Sequence, residues 1–349
     1  MTPRKGIVCG GCWTLDRIKL VDRWPQEEEL ATIHSVDRQG GGSAHNLGVD
    51  MCRLDPTMPV SAIGLVGSDP DGDFLLQQAR SCGMDTAQLQ RSAKAETSYT
   101  DVYSVIDSGR RTFFHHPGTN DLLTPEHFDF SASTARILHL GLLGVHHCLD
   151  NKWNDDANGW VTVLKKAKSA GMQTNVELVS IAPERIRELC APCLPYLDRL
   201  VVNDYEIGGL AGVATVDGTQ TDIPACTEAA RQVLQRGAME QVIVHYPGGA
   251  VAVSHTGEWT VPSFTIAEDD IVSSVGAGDA FAAGVLYGWH EGWTTINTLR
   301  LGHAVAAASL RSQTTVGSVG TIEECLAYVG LRRSTVHTAE LSDDHLQPL

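Results

Sequence analysis

Apolar and polar positions alternate along this chain with two periods, and the switches between them predict its elements. Short apolar runs at 5–12 (KGIVCGGC) and 60–67 (VSAIGLVG) read as strands buried on both faces. The stretch DGDFLLQQARSCG at 71–83 places Phe74, Leu75 and Ala79 on one helical face and closes on Gly83, a helix stop signal. A glycine-rich turn at 39–42 opens a helix through about Leu54. Further strand-then-helix units follow: ARILHLG with a helix at 155–170, MQTNVEL with PERIREL, and LDRLVVN with a turn at 204–211. MEQVIVHY leads into the strands GAVAVSH and EWTVP, and helices at about 277–290 and 295–310 close the series. This beat predicts an α/β fold, a doubly wound, mostly parallel sheet flanked by helices.

Two stretches break the beat. Residues 17–38 alternate like a strand, and 98–116 reads as a hairpin turning at Asp107–Gly109. Both flank an early helix, so they are expected to pair into a small separate β-sheet, a lid over a ligand cleft. No repeat or linker divides the chain. One domain over 1–333 is expected, followed by a polar, loosely held tail at 334–349.

Composition narrows the function. The 349 residues carry a formal charge of −16, which argues against a nucleic-acid partner because phosphate backbones need a basic face. That charge leaves small phosphorylated ligands open, since local dipoles can hold them. No apolar run reaches the length of about 18–20 residues that a membrane helix needs, and the N-terminus has no secretory h-region. No membrane partner and a cytoplasmic location are therefore expected. Nine cysteines include two CxxC pairs, Cys9/Cys12 and Cys190/Cys193. Neither has the compact context of a zinc knuckle, so buried thiols are the expectation.

The chain lacks a G-x-x-x-x-G-K-[ST] loop, a dinucleotide G-x-G-x-x-G after the first strand, H-E-x-x-H and G-x-S-x-G. Two glycine-rich helix starts remain: GGGSAHN at 40–46 and SSVGAGDAF at 273–281. Locally, Asp279 has two readings, a first-turn helix acid or a base beside an anion cradle. Asn203 and Glu206 of NDYE likewise form either an N-cap with its capping-box partner or a polar face for a ligand.

Together these pieces resemble, in order, the signatures of the ribokinase-like (PfkB) carbohydrate kinases. Gly11 to Asp16 is similar to the first strand end with its substrate aspartate, and Gly40-Gly41-Gly42 with Asn46 to the first signature. VGSDPDG resembles a Gly-x-Asp-x-x-Gly unit, GRRTFFHHPGTND a lid hairpin ending in a Pro-Gly-Ala-Asn element, and NDYE the Asn-x-x-Glu motif. GAGD matches the second signature. The resemblance covers about residues 5–320.

It implies an ATP- and Mg²⁺-dependent phosphotransferase acting on a hydroxyl, expected to be primary, of a sugar or sugar derivative. Asp279 would be the base, with the amides of Gly276, Ala277 and Gly278 free to hold developing charge. Asp16, Gly41, Gly42 and Asn46 would grip the acceptor. Asn203, Glu206, His245, Gly248 and His303 would contact the nucleotide, with Glu206 meeting Mg²⁺ through water. A nucleoside acceptor is the alternative, because GGSAHN is close to the Gly-Gly-Ser-x-x-Asn of adenosine kinases; a sensing homologue without chemistry is a third reading. Phe113, Phe114, His115 and His116 lie on the lid hairpin, and lids in this family often pair into homodimers.

The chain also departs from its relatives. Ser273 stands where many have an aspartate that helps bind a monovalent cation, so any inference about potassium stops there. His245 and Pro247 replace the threonine and a glycine of a nucleotide loop. LGLLGVHH, near 143, has no carboxylate where some ribose-binding relatives have a glutamate, which argues against ribose itself.

Overall fold

The structure is a computed structural model, and it describes residues 3–108, 110–312, 314–333 and 346–348. Buried apolar runs form the central strands: β1 (Ile7–Gly11), β4 (Val60–Gly67), β5 (Asp85–Ser92), β8 (Ile137–Leu143) and β9 (Gln173–Leu178). They make an all-parallel sheet in the order β5-β4-β1-β8-β9. A second sheet holds β10 (Arg199–Asn203), β13 (Gln241–Tyr246), β14 (Gly249–Ser254) and β15 (Glu258–Pro262) in that order. Only its β10–β13 pair is parallel.

The two sheets meet at a seam between β9 and β10. There the Asp198 N–H donates to Thr174 O (3.0 Å), and the Val201 N–H donates to the side-chain oxygen of Asn175 (3.2 Å). Helices cover both faces, as the alternation predicts. On one face Leu47 and Met51 of α1 (Ser43–Leu54) and Leu75 of α2 (Pro70–Ser81) share a core with Phe281 and Leu286 of α8 (Ala277–His290) and Leu299 of α9 (Thr295–Ser309). On the other face the core includes Trp160 and Leu164 of α4 (Gly159–Ser169) and Ile186 of α5 (Pro183–Cys190). Ile207 of α6 (Asp204–Ala211) and Val233 of α7 (Ile223–Arg236) complete it.

The lid is a separate four-stranded sheet. Its order is β3 (Ile33–Gly41), β2 (Thr14–Val21), β6 (Tyr99–Val105), β7 (Arg111–His116), with β2 and β6 parallel. Its root is tied to the body at Asp69. This side chain caps α2 through the Gly72 N–H (2.8 Å) and also accepts the Thr97 N–H (2.7 Å) and hydroxyl (2.6 Å), just ahead of β6. The Gly-x-Asp-x-x-Gly pattern is thus a helix cap that doubles as a lid anchor.

Several expectations need correction. Residues 204–211, read as a turn, form helix α6, because Asn203 and Glu206 supply a full capping box ahead of an apolar run. Strand β5 and helix α7 went unread, since β5 is polar at most of its exposed positions and α7 opens on a turn-like DIPAC. Part of the tail is ordered: Leu346–Pro348 pairs antiparallel with Leu331–Arg333. Residues 334–345 of the tail, and Gly109 of the expected hairpin turn, lie outside the described residues. All four CxxC cysteines are buried free thiols, as expected.

Replacing Asp69 by Ala removes one cap and two lid-root bonds together. A loss of about 1–3 kcal/mol is expected from denaturant unfolding; an unchanged midpoint would contradict the anchoring role.

Candidate active site

The first strands end in a crowded polar floor. β3 delivers Gly40-Gly41 into the start of α1, and a Cβ on Gly41 would run into the Asp16 carboxylate on neighbouring β2. Glycine there makes room for the acid. Helix α8 starts at Gly276, whose left-handed φ of 82° suits glycine, so Asp279 sits in its first turn.

These two helix starts touch. The Asn46 side chain donates from Nδ2 to Asp279 Oδ2 at 2.8 Å. Its Oδ1 lies 3.2 Å from the Thr315 hydroxyl and 3.0 Å from His45 Nδ1. Asn46 was expected to hold the acceptor; here its Nδ2 donates to the Asp279 carboxyl. The expectation of three free amides fails at one position, because the Ala277 N–H donates to Ser274 O at 3.3 Å.

Carboxyls crowd the floor. Burial, then the charge of Glu177, push Asp279 well above the carboxylate range. Burial and the nearby Asp279 push Asp16 up to about 7. Burial also lifts Glu177 and Glu206 to about 7. Glu177, Glu206, Asn203 and Asp279 line one cavity of about 140 Å³.

Both readings of NDYE meet in the structure. Asn203 Oδ1 accepts the Glu206 N–H (2.8 Å), Glu206 Oε2 accepts the Asn203 N–H (3.1 Å), and Ser180 donates to Glu206 Oε1 (3.0 Å). The box is structural, yet it presents two oxygen-bearing side chains to the cavity beside Asp279. Their carboxylate and amide oxygens are the hard donors that suit hydrated Mg²⁺. Among the described residues no group of three or more His, Cys, Asp or Glu is placed to hold a metal ion.

An adjoining cavity of about 520 Å³ is lined by His245, Pro247, Phe281, His303 and Ala307. His245 and His303 flank Phe281 with ring centroids 5.1 and 5.0 Å apart. Burial holds both imidazoles neutral, at about 4. His303 Nε2 donates to Val261 O (3.2 Å), which leaves Nδ1 as an acceptor. Gly248 is not among the lining residues; it turns the β13–β14 hairpin, and Tyr246 and Pro247 form the wall.

The lid adds two contacts. Thr100, opposite Asp16 across β2–β6, bonds to that carboxylate and lies 3.1 Å from His115 Nδ1. By strand alternation Phe113 shares this face, whereas Phe114 stacks on Trp24 at the opposite one (6.2 Å, 15°). Arg111 reaches from β7 to the Ser273 hydroxyl (2.9 Å), so a guanidinium meets the loop that leads into Gly276.

Sequence reading missed Glu177, Thr315 and Arg111. Glu177 sits in QTNVEL, a strand already polar at Gln173, Thr174 and Asn175, so no pattern singles it out. Thr315 lies in no motif, and Arg111 lies in the lid hairpin at a position its pattern does not mark.

The pfkB family carbohydrate kinase profile matches residues 4–321, nearly the whole chain. This chain belongs to the pfkB carbohydrate kinase family. It is 27% identical to the ATP-dependent ribose-1-phosphate kinase of Halopiger xanaduensis, over 77% of this chain and 79% of that one. It is 24% identical to the adenosine kinase of Saccharomyces cerevisiae, over 81% of each. In fold it is similar to Thermotoga maritima ribokinase, with a TM-score of 0.76 at 21% identity over 93% of this chain and 99% of that one. An Arabidopsis thaliana ribokinase complexed with ribose and ATP gives 0.75 at 19% identity, over 93% and 99%. As a pfkB kinase, the chain is an ATP-dependent phosphotransferase with a sugar or nucleoside acceptor, built on the doubly wound sheet expected from its sequence.

The capping box predicts its own cost. Asn203→Ala in this pfkB kinase should lose about 0.5–2 kcal/mol of stability. Chemical denaturation with and without MgATP separates that loss from any change in nucleotide binding.

Proposed function

We propose that this kinase phosphorylates a primary hydroxyl of a sugar or sugar derivative, with Asp279 as general base. The observation that carries the reading is the Asn46–Asp279 hydrogen bond, which points a buried carboxyl into the cleft between the acceptor floor and the phosphate loop. The acceptor's O–H gives its proton to Asp279 as its oxygen bonds the γ-phosphorus, and ADP leaves with the electron pair of the broken P–O bond. The amides of Gly276 and Gly278, at the positive end of α8, face the charge that develops. Ala277 joins them once its weak bond to Ser274 O opens.

Asp16 and Gly42 hold the acceptor's other hydroxyls, with Thr100 and His115 extending that face. Mg²⁺, held through water by Glu206 with Asn203 beside it, would neutralise phosphate charge when bound. His245 and His303 line the base-side cavity as neutral rings. Arg111 at Ser273 supplies a positive charge beside the loop.

A nucleoside acceptor is the second reading, favoured by Phe113 on the cleft face of the lid and by the similarity to an adenosine kinase. The exposed lid aromatics, Phe114 and Trp24, together with Leu30 and Val36, are the surface on which a second copy would pair. The kinase domain spans 1–333, and a cytoplasmic location completes the proposal; among the described residues no helix is long and apolar enough to cross a membrane.

A thermal-shift panel of sugars and nucleosides, followed by ADP release, decides the acceptor. Asp279→Asn should keep acceptor binding and lower turnover by about 10²–10⁴-fold; wild-type turnover in that variant sinks the mechanism. Asp16 must be ionised to accept hydroxyl protons, and burial beside Asp279 raises it to about 7. Acceptor affinity should therefore strengthen as pH rises from 6 to 8 in calorimetric titrations, and Asp16→Asn should abolish that trend.

A further inference from the structure

On the acceptor side of the cleft a further cavity, of about 310 Å³, opens beyond the floor, and nothing in the phosphoryl-transfer step occupies it. Its place follows from the register of the lid. Asp16 on β2 stands opposite Thr100 on β6, and Thr100 stands opposite His115 on β7. Cross-strand neighbours share a face, so the three side chains form one row, and His115 at its end lines the cavity.

The other wall is the loop after β8. The Cys12 N–H donates to Gly141 O at 2.6 Å, and a Cβ on Gly42 would run into Cys12. The acceptor floor therefore abuts β8 three residues before Gly144, which lines the cavity. An acceptor gripped at Asp16 and Gly42 has its far end toward this space.

The polar groups around the cavity are unequally committed. Asp150, which ends the short helix α3 (His147–Asp150), is spent inside the protein. Its Oδ1 accepts the Gly144 N–H (3.0 Å) and the Trp160 Nε1–H (2.7 Å), and its Oδ2 accepts the His146 N–H (3.2 Å). Arg185 on α5 lies 2.8 Å from Glu188, one turn on. Asp121, in the turn Gly118–Leu122 that follows β7, accepts the His147 N–H at Oδ1 (2.9 Å). Its Oδ2 has no hydrogen-bond partner among the described residues.

The imidazoles add no fixed cation to offset Asp121. His146 Nδ1 lies 3.0 Å from Leu142 O, and burial keeps that ring neutral, at about 4. Burial lowers His115 as well. No lysine lines the cavity. A phosphate or carboxylate placed here would meet a carboxylate with a free oxygen, and juxtaposed like charges reject a ligand. A hydroxyl or N–H would find in the same oxygen a charged, and hence stronger, hydrogen-bond acceptor.

We propose that this cavity receives the end of the acceptor remote from the reacting hydroxyl, that this end is uncharged and carries a hydroxyl or N–H donor, and that Asp121 selects it. Oδ2 accepts the donor's hydrogen, and the carboxylate charge turns away a phosphate or carboxylate at the same place. This rests on the assignment of Asp16 and Gly42 to the acceptor. A free sugar supplies the donor as a ring hydroxyl, a nucleoside as a base N–H.

The test uses the full chain and a matched series built on the best-binding aldose of the thermal-shift panel. The free sugar, its 1-phosphate and its aldonate share the primary hydroxyl, and adenosine serves as the N–H arm. Calorimetry gives Kd for each, and ADP release with MgATP gives kcat/KM. The free sugar or adenosine should exceed both anions by about 30-fold or more, and whichever leads identifies the donor. Asp121→Asn keeps an oxygen for the His147 N–H and removes the charge, so the anions should gain and the gap should narrow about tenfold. In the wild type the gap should also narrow between about 50 and 500 mM salt, because half-exposed charges are screened.

A wild-type preference for the 1-phosphate or the aldonate overturns the proposal, and its loss in Arg185→Gln would name the guanidinium as the deciding group instead. An unchanged gap in Asp121→Asn overturns it too. Should that variant fail to fold, the wild-type salt series decides, and a gap that salt leaves unmoved counts against Asp121. Asp16→Asn binding the free sugar as tightly as wild type overturns the acceptor floor instead, while the Kd series still judges the cavity.

Discussion

The hydrogen bond from Asn46 to Asp279 is the constraint on which the site depends. It spans 233 residues of sequence and joins the first turns of two helices, α1 entered from lid strand β3 and α8 from the loop after β15. Both helices begin at glycines with positive φ, Gly42 at 86° and Gly276 at 82°, where a Cβ would run into Cys12 and Thr315 respectively. Thr315 braces the contact by reaching Asn46 Oδ1 and Gly40 O, and its own N–H goes to Gln39. One amide thus fixes Asp279 relative to the start of α1.

Once that geometry is set, electrostatics follows. Asp16, Asp279, Glu177 and Glu206 sit within one buried region, and burial is the largest force on each. Apolar burial of this many acids without nearby lysine or arginine pairs would be ruinous if all were charged. The helix dipole of α8 and the hydrogen bonds from Asn46, Ser180 and Thr100 carry the load instead. A site built this way is poised for ligands that bring cations and hydroxyl donors with them.

Much of this was legible in the sequence. The central strands, the lid and helices α1, α8 and α9 could be read from periodicity, because their apolar positions face one core or the other. GAGD, GGGSAHN and NDYE could be placed because glycine and capping residues act locally. What stayed hidden depends on contact between distant segments. The bond from Asn46 to Asp279 and the place of Gly248 in the β13–β14 turn become visible only once those segments are brought together. Glu177 had no motif to announce it; only the fold brings it to Asp279.

The anchoring of the lid at Asp69 and Thr97 has a mechanical consequence. Thr97 is held to the body, and the next residue, Ser98, accepts the Leu15 N–H at its carbonyl (2.9 Å) and donates its own hydroxyl to Thr14 (3.1 Å). The two parallel strands therefore leave the body side by side through one bonded line. The lid is also held where β3 runs into α1, where Arg17 and Arg38 meet Asp71, and where Arg111 meets Ser273. Asp16, Thr100 and His115 ride on this bonded sheet together, so they move as one unit.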